Sequence, residues 1–387
     1  MRTWNDGLLD RMRLLGDPLA DEVVAGLFDP DDVDGCRTLL RGLVDQPDPH
    51  RVDPVFDDYL ERTGAIPDWA DVDRVARGQD VFERWGVPIS VALFCASLPS
   101  AYACARGVHA LAQTARLETD TRRRIMETGQ FLIDALGPDG LEPGGPGIVA
   151  IQRVRLMHAA VRHLILAHQR EVAAGHTRPG PPPWQDEWGM PINQEDLLGT
   201  LMSFSYTVVG PLPKLGVDID ESDREDYLYI WRVIGTMLGV RDELIPRTTA
   251  ESTRVVDLIR ERNYAHSADG VAMTRALVAL LEEMTPGRML DSVPVDLIRM
   301  MIGDDAAELL ELPSMSRHFG FLTWLKVLVG WSSREVENSR MLQSVSAQVG
   351  WLVLNGLHDL HREGEHRAAF NIPDRLADDW RLNQAPV

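Results

Sequence analysis

The chain has 387 residues, 44% hydrophobic and 25% charged, which supplies apolar material for a large core and gives no ground for global disorder. A formal net charge of −20 repels phosphate backbones and anionic lipid surfaces, so neither nucleic acid nor a membrane surface is an expected partner. Cys36, Cys95 and Cys104 form no CxxC pair, no leader pattern opens the chain, and no stretch reads as the ~18 apolar residues of a membrane span; the expectation is a cytoplasmic chain, monomer or homodimer.

Helical periodicity recurs along the sequence while strand signals are sparse, which makes the class all-α. A single domain is expected, with a core over about residues 80–260 and helical extensions over about 1–79 and 261–387. Gln79 to Cys104 predicts helix with a turn near Gly86-Val87-Pro88. Thr119 to Leu136 predicts an amphipathic helix stopped by Gly137-Pro138. The glycine-rich loop from Asp139 to Gly147 follows a helix and lacks a GK[ST] lysine, so it reads as a connector and not a phosphate cradle. Ile148 to Val172 predicts a long unbroken helix. After a Pro-rich connection from Gly175 to Met190, Asn193 caps a helix running through Phe204. The order Ser222-Asp223-Arg224-Glu225 predicts a capping box opening a helix to about Leu244.

The Ile148 to Val172 helix carries the main chemical signal. Ile151, Val154, Arg155, His158, Val161, Arg162 and Ile165 share one face. A single imidazole in an apolar stripe, with an arginine one turn before and one turn after, suits a haem whose iron the histidine ligates and whose propionates the guanidinium groups neutralise. A hydrogen-bonded core histidine fits the same pattern. His163 lies about 140° around the helix from His158, so it cannot face the same iron and reads as a packing or supporting group. Cys104 lacks the FxxGxRxCxG surroundings of a haem thiolate and reads as a small buried side chain. His358, His361 and His366, near Asp359, Glu363 and Glu365, read as a solvated polar segment and not a metal site. Gly235 and Gly239 form a GxxxG pair, which in such a helix signals close packing.

Three blocks in order carry a family resemblance. Arg155-Leu156-Met157-His158-Ala159-Ala160-Val161-Arg162-His163 is similar to the signature helix of the rubber-oxygenase catalytic-domain family, which includes latex-clearing proteins and fungal membrane-bound oxygenases of meroterpenoid pathways. Pro191-Ile192-Asn193-Gln194-Glu195-Asp196-Leu197-Leu198-Gly199-Thr200 and Tyr229-Ile230-Trp231-Arg232-Val233-Ile234-Gly235 resemble the next two blocks of that family. Together they span roughly residues 100–250. The resemblance implies a globin-like helical core around haem b, His158 as axial iron ligand, and dioxygen-dependent cleavage or oxidation of isoprenoid-type double bonds.

Arg124, Glu127 and Thr128 line one helix face, and the resemblance makes that face the distal side. Latex-clearing members resemble Arg-x-x-Lys-Thr here, with a lysine able to occupy the sixth iron position. Glu127 stands in its place, and Lys214 and Lys326 are the chain's only lysines. A lysine-capped state is therefore not carried over. Glu127 can serve as a general base that removes an allylic proton or as a weak sixth ligand, each favoured if burial raises its pKa; an Arg124–Glu127 surface ion pair is the third possibility. Thr128 can donate to bound dioxygen or bond the carbonyl a turn back. The family's further glutamate finds no match in Tyr102-Ala103-Cys104-Ala105-Arg106-Gly107-Val108-His109, which argues against polyisoprene cleavage. The expected function is a haem b-dependent oxygenase that uses dioxygen or peroxide on a hydrophobic, unsaturated small molecule. A missing export signal favours a soluble metabolite over an extracellular polymer. A non-catalytic haem protein that senses or stores haem or a diatomic gas is the alternative.

Overall fold

The computed structural model describes residues 3–27, 54–114, 121–175, 183–284 and 293–314. Among them all regular elements are helical, and one isolated bridge, Cys104 to Tyr264, is the sole β-type pairing. Cys36, Lys326 and the histidines 358, 361 and 366 lie outside the described residues.

Helix α1 (Asp6–Met12) starts at Asn5, whose side chain accepts from the Leu8 N–H. Helices α2 (Pro18–Leu27) and α3 (Pro54–Thr63) follow. Helix α4 (Val72–Ala92) contains Pro88, and three residues earlier Trp85 leaves helical geometry at φ −109°, ψ 16°. A proline ring excludes the carbonyl one turn back, so the chain bends there without stopping. The turn expected near Gly86-Val87-Pro88 is thus a kink. A π-helical turn (Leu93–Ser97) joins α4 to α5 (Leu98–Ala103), and α6 (Ala105–Thr114) comes next.

The whole run Val72–Ala103 is long and apolar enough, by length and composition, to cross a membrane, where the sequence suggested no such stretch. Of its most apolar window, 61% is buried inside the protein, as in a core helix. The boundary drawn near residue 80 falls inside α4, so the N-terminal segment and the core share a helix.

Helices α7 (Thr121–Leu136) and α8 (Pro146–Ala173) match the expected pair closely. Their tight approach requires Gly147: a Cβ there would lie 2.7 Å from the Ala135 Cα and 2.6 Å from the Gly140 carbonyl oxygen. Helix α9 (Gln194–Phe204) opens with a full capping box between Asn193 and Asp196. Helix α10 (Tyr206–Val209) is one turn. Helix α11 (Glu221–Met237) is capped not by Ser222 but by Asp220, whose carboxylate accepts from the Asp223 N–H at 2.7 Å, and it ends well before Leu244. Helices α12 (Thr249–Asn263), α13 (Ala268–Met284), α14 (Val293–Ile302) and α15 (Asp304–Leu309) complete the described chain.

The main core forms where α4, α9 and α11 meet. Tyr227, Ile230, Trp231, Val233 and Ile234 of α11 are buried, each large apolar side chain worth about 1.5–3 kcal/mol of burial. Gly235 lets α9 close in, since a Cβ would meet the Leu201 Cδ2 at 2.5 Å. A second cluster joins Ala20, Val23 and Val24 of α2 to Leu156, Ala159 and Ala160 of α8. That contact clamps one face of the histidine helix and leaves the other turned toward a cavity.

Candidate active site

A cavity of about 370 Å³ opens among α5 to α9, α11 and α12, with mostly apolar walls that include Leu98, Phe131, Val154, Met202 and Phe204. Its size suits a small organic ligand. His158 from α8 lines it together with Arg124, Glu127 and Thr128 from α7, so the structure brings these four sequence-selected residues to one space. The π-helical turn contributes Ser97 at its edge.

His158 has no satisfied core role. Its Nδ1 is sealed and has no hydrogen-bond partner. Leaving a buried polar atom unpaired costs about 1–3 kcal/mol, which a purely structural histidine would avoid by reaching a carbonyl. Burial first, and then the charge of Arg162, push its pKa down to about 4. The ring is therefore neutral near pH 7, the form in which imidazole ligates a metal.

Arg155 and Arg162 flank His158 on the helix, but in this structure neither is among the residues that line the cavity. Arg155 forks onto the Asp17 carboxylate, with Nη2 to Oδ1 at 2.8 Å, and donates to the Met237 carbonyl. Arg162 is 2% exposed; it pairs with Asp21 and donates to the carbonyls of Pro191 at 2.9 Å and Ile192 at 2.8 Å. Their long side chains sweep sideways to the start of α2 and to the turn before α9. Ile192 holds φ at +49°, a left-handed conformation that costs a β-branched residue about 1–3 kcal/mol. Arg162 fixes the carbonyl of that residue, and Ile192 lines the cavity. Arg162 thus positions the wall.

On α7, Glu127 is buried, at 6% exposure, and its Oε1 accepts from the Arg123 Nε at 3.0 Å. The expected Arg124–Glu127 surface pair is replaced by an i,i+4 pair that reaches in from the half-exposed Arg123. Thr128 donates its hydroxyl to the Arg124 carbonyl at 2.8 Å, the backbone-bonding alternative, so its single proton is already engaged. Arg124 has one sealed guanidinium nitrogen, Nη1, without a partner.

The far wall was missed by sequence reasoning. Arg260, Asn263 and Tyr264 from the end of α12 line the cavity, with Glu195 and Asp196 at the start of α9. Glu195 is held by Arg13 at 2.9 Å, Arg262 at 3.0 Å and Asn263 at 2.8 Å. Burial works to raise this carboxyl, but those donors outweigh it and keep it below the ordinary range. Asp196 receives less help: burial pushes it up to about 6, against Arg13 at 3.6 Å. Cys104 also lines the cavity, and burial raises its thiol to about 12, so it is no thiolate near neutral pH. Among the described residues no three His, Cys, Asp or Glu side chains converge to hold an ion. What the site offers a metal is one imidazole nitrogen, the protein contribution that a haem iron needs. The unpaired His158, the apolar walls and the cationic rim fit such a group.

The family described as "ER-bound oxygenase mpaB/B'/Rubber oxygenase, catalytic domain" matches residues 80–331, a wider span than the three sequence blocks. The chain is 30% identical over 280 residues to the rubber oxygenase of Streptomyces sp. (strain K30), covering 70% of this chain and 64% of that protein. A structure of latex clearing protein LCP in the closed state shares the fold, with a TM-score of 0.71 at 24% identity, over 88% of this chain and 91% of that one. A family match over well over half its length places the chain in the ER-bound oxygenase and rubber oxygenase catalytic-domain family.

Proposed function

We propose that the chain is an oxygenase that holds haem b through His158 and oxidises a hydrophobic, unsaturated substrate, isoprenoid-like in character, with dioxygen or peroxide. The observation that carries this reading is the neutral imidazole of His158, whose buried Nδ1 has no hydrogen-bond partner, on the wall of a largely apolar cavity. Bound there, haem supplies the activation of dioxygen. The protein supplies the rest. Apolar walls take up the substrate chain and exclude water, which strengthens every polar interaction inside. Glu127 presents a carboxylate to the same space, and Arg123 fixes its orientation. It is placed to take an allylic proton from the substrate at an Oε atom. Arg162 and Asp17, through Ile192 and Arg155, hold the wall and the helix that carry His158.

The test is oxygen uptake by the purified protein with a soluble oligoisoprenoid alkene, followed by product analysis. Uptake matched to loss of the double bond, or to its allylic hydroxylation, is the expected result. Glu127→Gln should lower turnover by about tenfold or more while leaving haem content unchanged. A haem-loaded wild type that consumes no oxygen with any unsaturated substrate or peroxide would leave a haem-binding or gas-sensing role in its place.

A further inference from the structure

We infer that Arg124 and Arg260 form a carboxylate-receiving site in the His158 cavity, so that its ligand carries an acidic group. The inference rests on the cavity being the ligand site proposed above. Both arginines line it, from α7 and α12. The Nη1 of Arg124 and the Nε of Arg260 are sealed and lack any hydrogen-bond partner. Arg260 lies 6.0 Å over the ring of Tyr264, a weak contact for a guanidinium. Neither enters an ion pair among the described residues.

The carboxylates that share the cavity are committed elsewhere. Glu127 belongs to Arg123, Glu195 to Arg13, Arg262 and Asn263, and Asp196 to Asn193 and Arg13. An arginine stays charged at any accessible pH, so a partly buried guanidinium without a carboxylate lacks a counterion. Elsewhere Arg13, Arg155, Arg162 and Arg299 each meet a carboxylate. Two guanidinium groups left without one, in a space with room for a ligand, are complementary to an anion. The planar fork of arginine selects a carboxylate among organic anions that are otherwise apolar. Two sources share this chemistry: the acid side chains of a porphyrin, or an acidic end on the substrate.

Binding of paired probes to the full chain separates them. Metal-free protoporphyrin IX is compared with its dimethyl ester, and dodecanoate with dodecan-1-ol, by fluorescence quenching or calorimetry. The wild type should prefer an acid over its neutral partner by about tenfold or more. The pair that shows the preference names the source. The double variant Arg124→Gln/Arg260→Gln should lose the preference, and Arg124→Lys/Arg260→Lys should keep part of it. The wild-type comparison needs no variant to fold. His158→Ala should retain the preference, because no probe contains iron; a chain that binds no haem yet keeps it sinks the haem reading alone. Equal binding of acid and neutral partners by the wild type in both pairs, or an undiminished preference in a folded double Gln variant, would overturn the inference.

Discussion

Four arginines surround the helix of His158 and divide into two pairs. Arg155 and Arg162 turn outward and are saturated, each by a carboxylate near α2 and by backbone carbonyls. Arg124 and Arg260 face the cavity, with a sealed nitrogen on each left unmatched. The first pair builds the wall and the second awaits something within it. The contrast teaches that a helical wheel gives the reach of an arginine and not its partner: sharing a face with His158 placed Arg155 and Arg162 near the site without placing them in it.

Substitution can break the contrast. Arg162→Ala strips Asp21 and two carbonyls of their donor and releases the strained Ile192; it should destabilise the fold by about 3 kcal/mol, read as a lower urea midpoint at unchanged slope. A neutral result would mean that the outward pair is not structural. Asp196 sits between the extremes, with Arg13 at 3.6 Å and a carboxyl raised to about 6. Its folded pKa lies above the ordinary aspartate value of 3.8, so the native state binds more protons across that window and stability falls as pH rises from about 4 to 6. Asp196→Asn should remove that decline and gain about 1–2 kcal/mol at pH 7, checked by urea melts from pH 4 to 7. A decline that persists in the variant would assign it to another group. Arg260→Gln should change the stability of the ligand-free protein by less than about 1 kcal/mol, because no ion pair is lost and the guanidinium is partly exposed; a loss as large as that of Arg162→Ala would erase the division between the pairs.

Much of this was legible in the sequence, for reasons that are local. The helix over Ile148 to Val172 announces itself by apolar spacing and appears as Pro146–Ala173. Asn193 was readable as a cap because its short amide side chain precedes an apolar helical run; the capping box it forms with Asp196 emerges from the structure. The helix expected to open at Ser222 is instead capped two residues earlier by Asp220, whose carboxylate reaches the Asp223 N–H. Pro88 marked a break but not its form, since the surrounding apolar run keeps the bent helix buried. The face joining Arg124, Glu127 and Thr128 follows from helical spacing, whereas the choice of Arg123 as the partner of Glu127 depends on which side of α7 is covered. Partners set by tertiary packing left no local trace: Asp17 and Asp21 lie well over a hundred residues from the arginines they bind, and Arg260 enters the site from a helix that carries no motif.

The central proposal is that His158 ligates haem iron. The most direct measurement is the ultraviolet–visible spectrum of the purified wild type and of His158→Ala after reconstitution with haem, with pyridine added to identify the haem as b type. A Soret band in the wild type that is lost or strongly shifted in the variant is the predicted result. A wild type that stays colourless after reconstitution, or a variant whose spectrum matches it, would contradict the account.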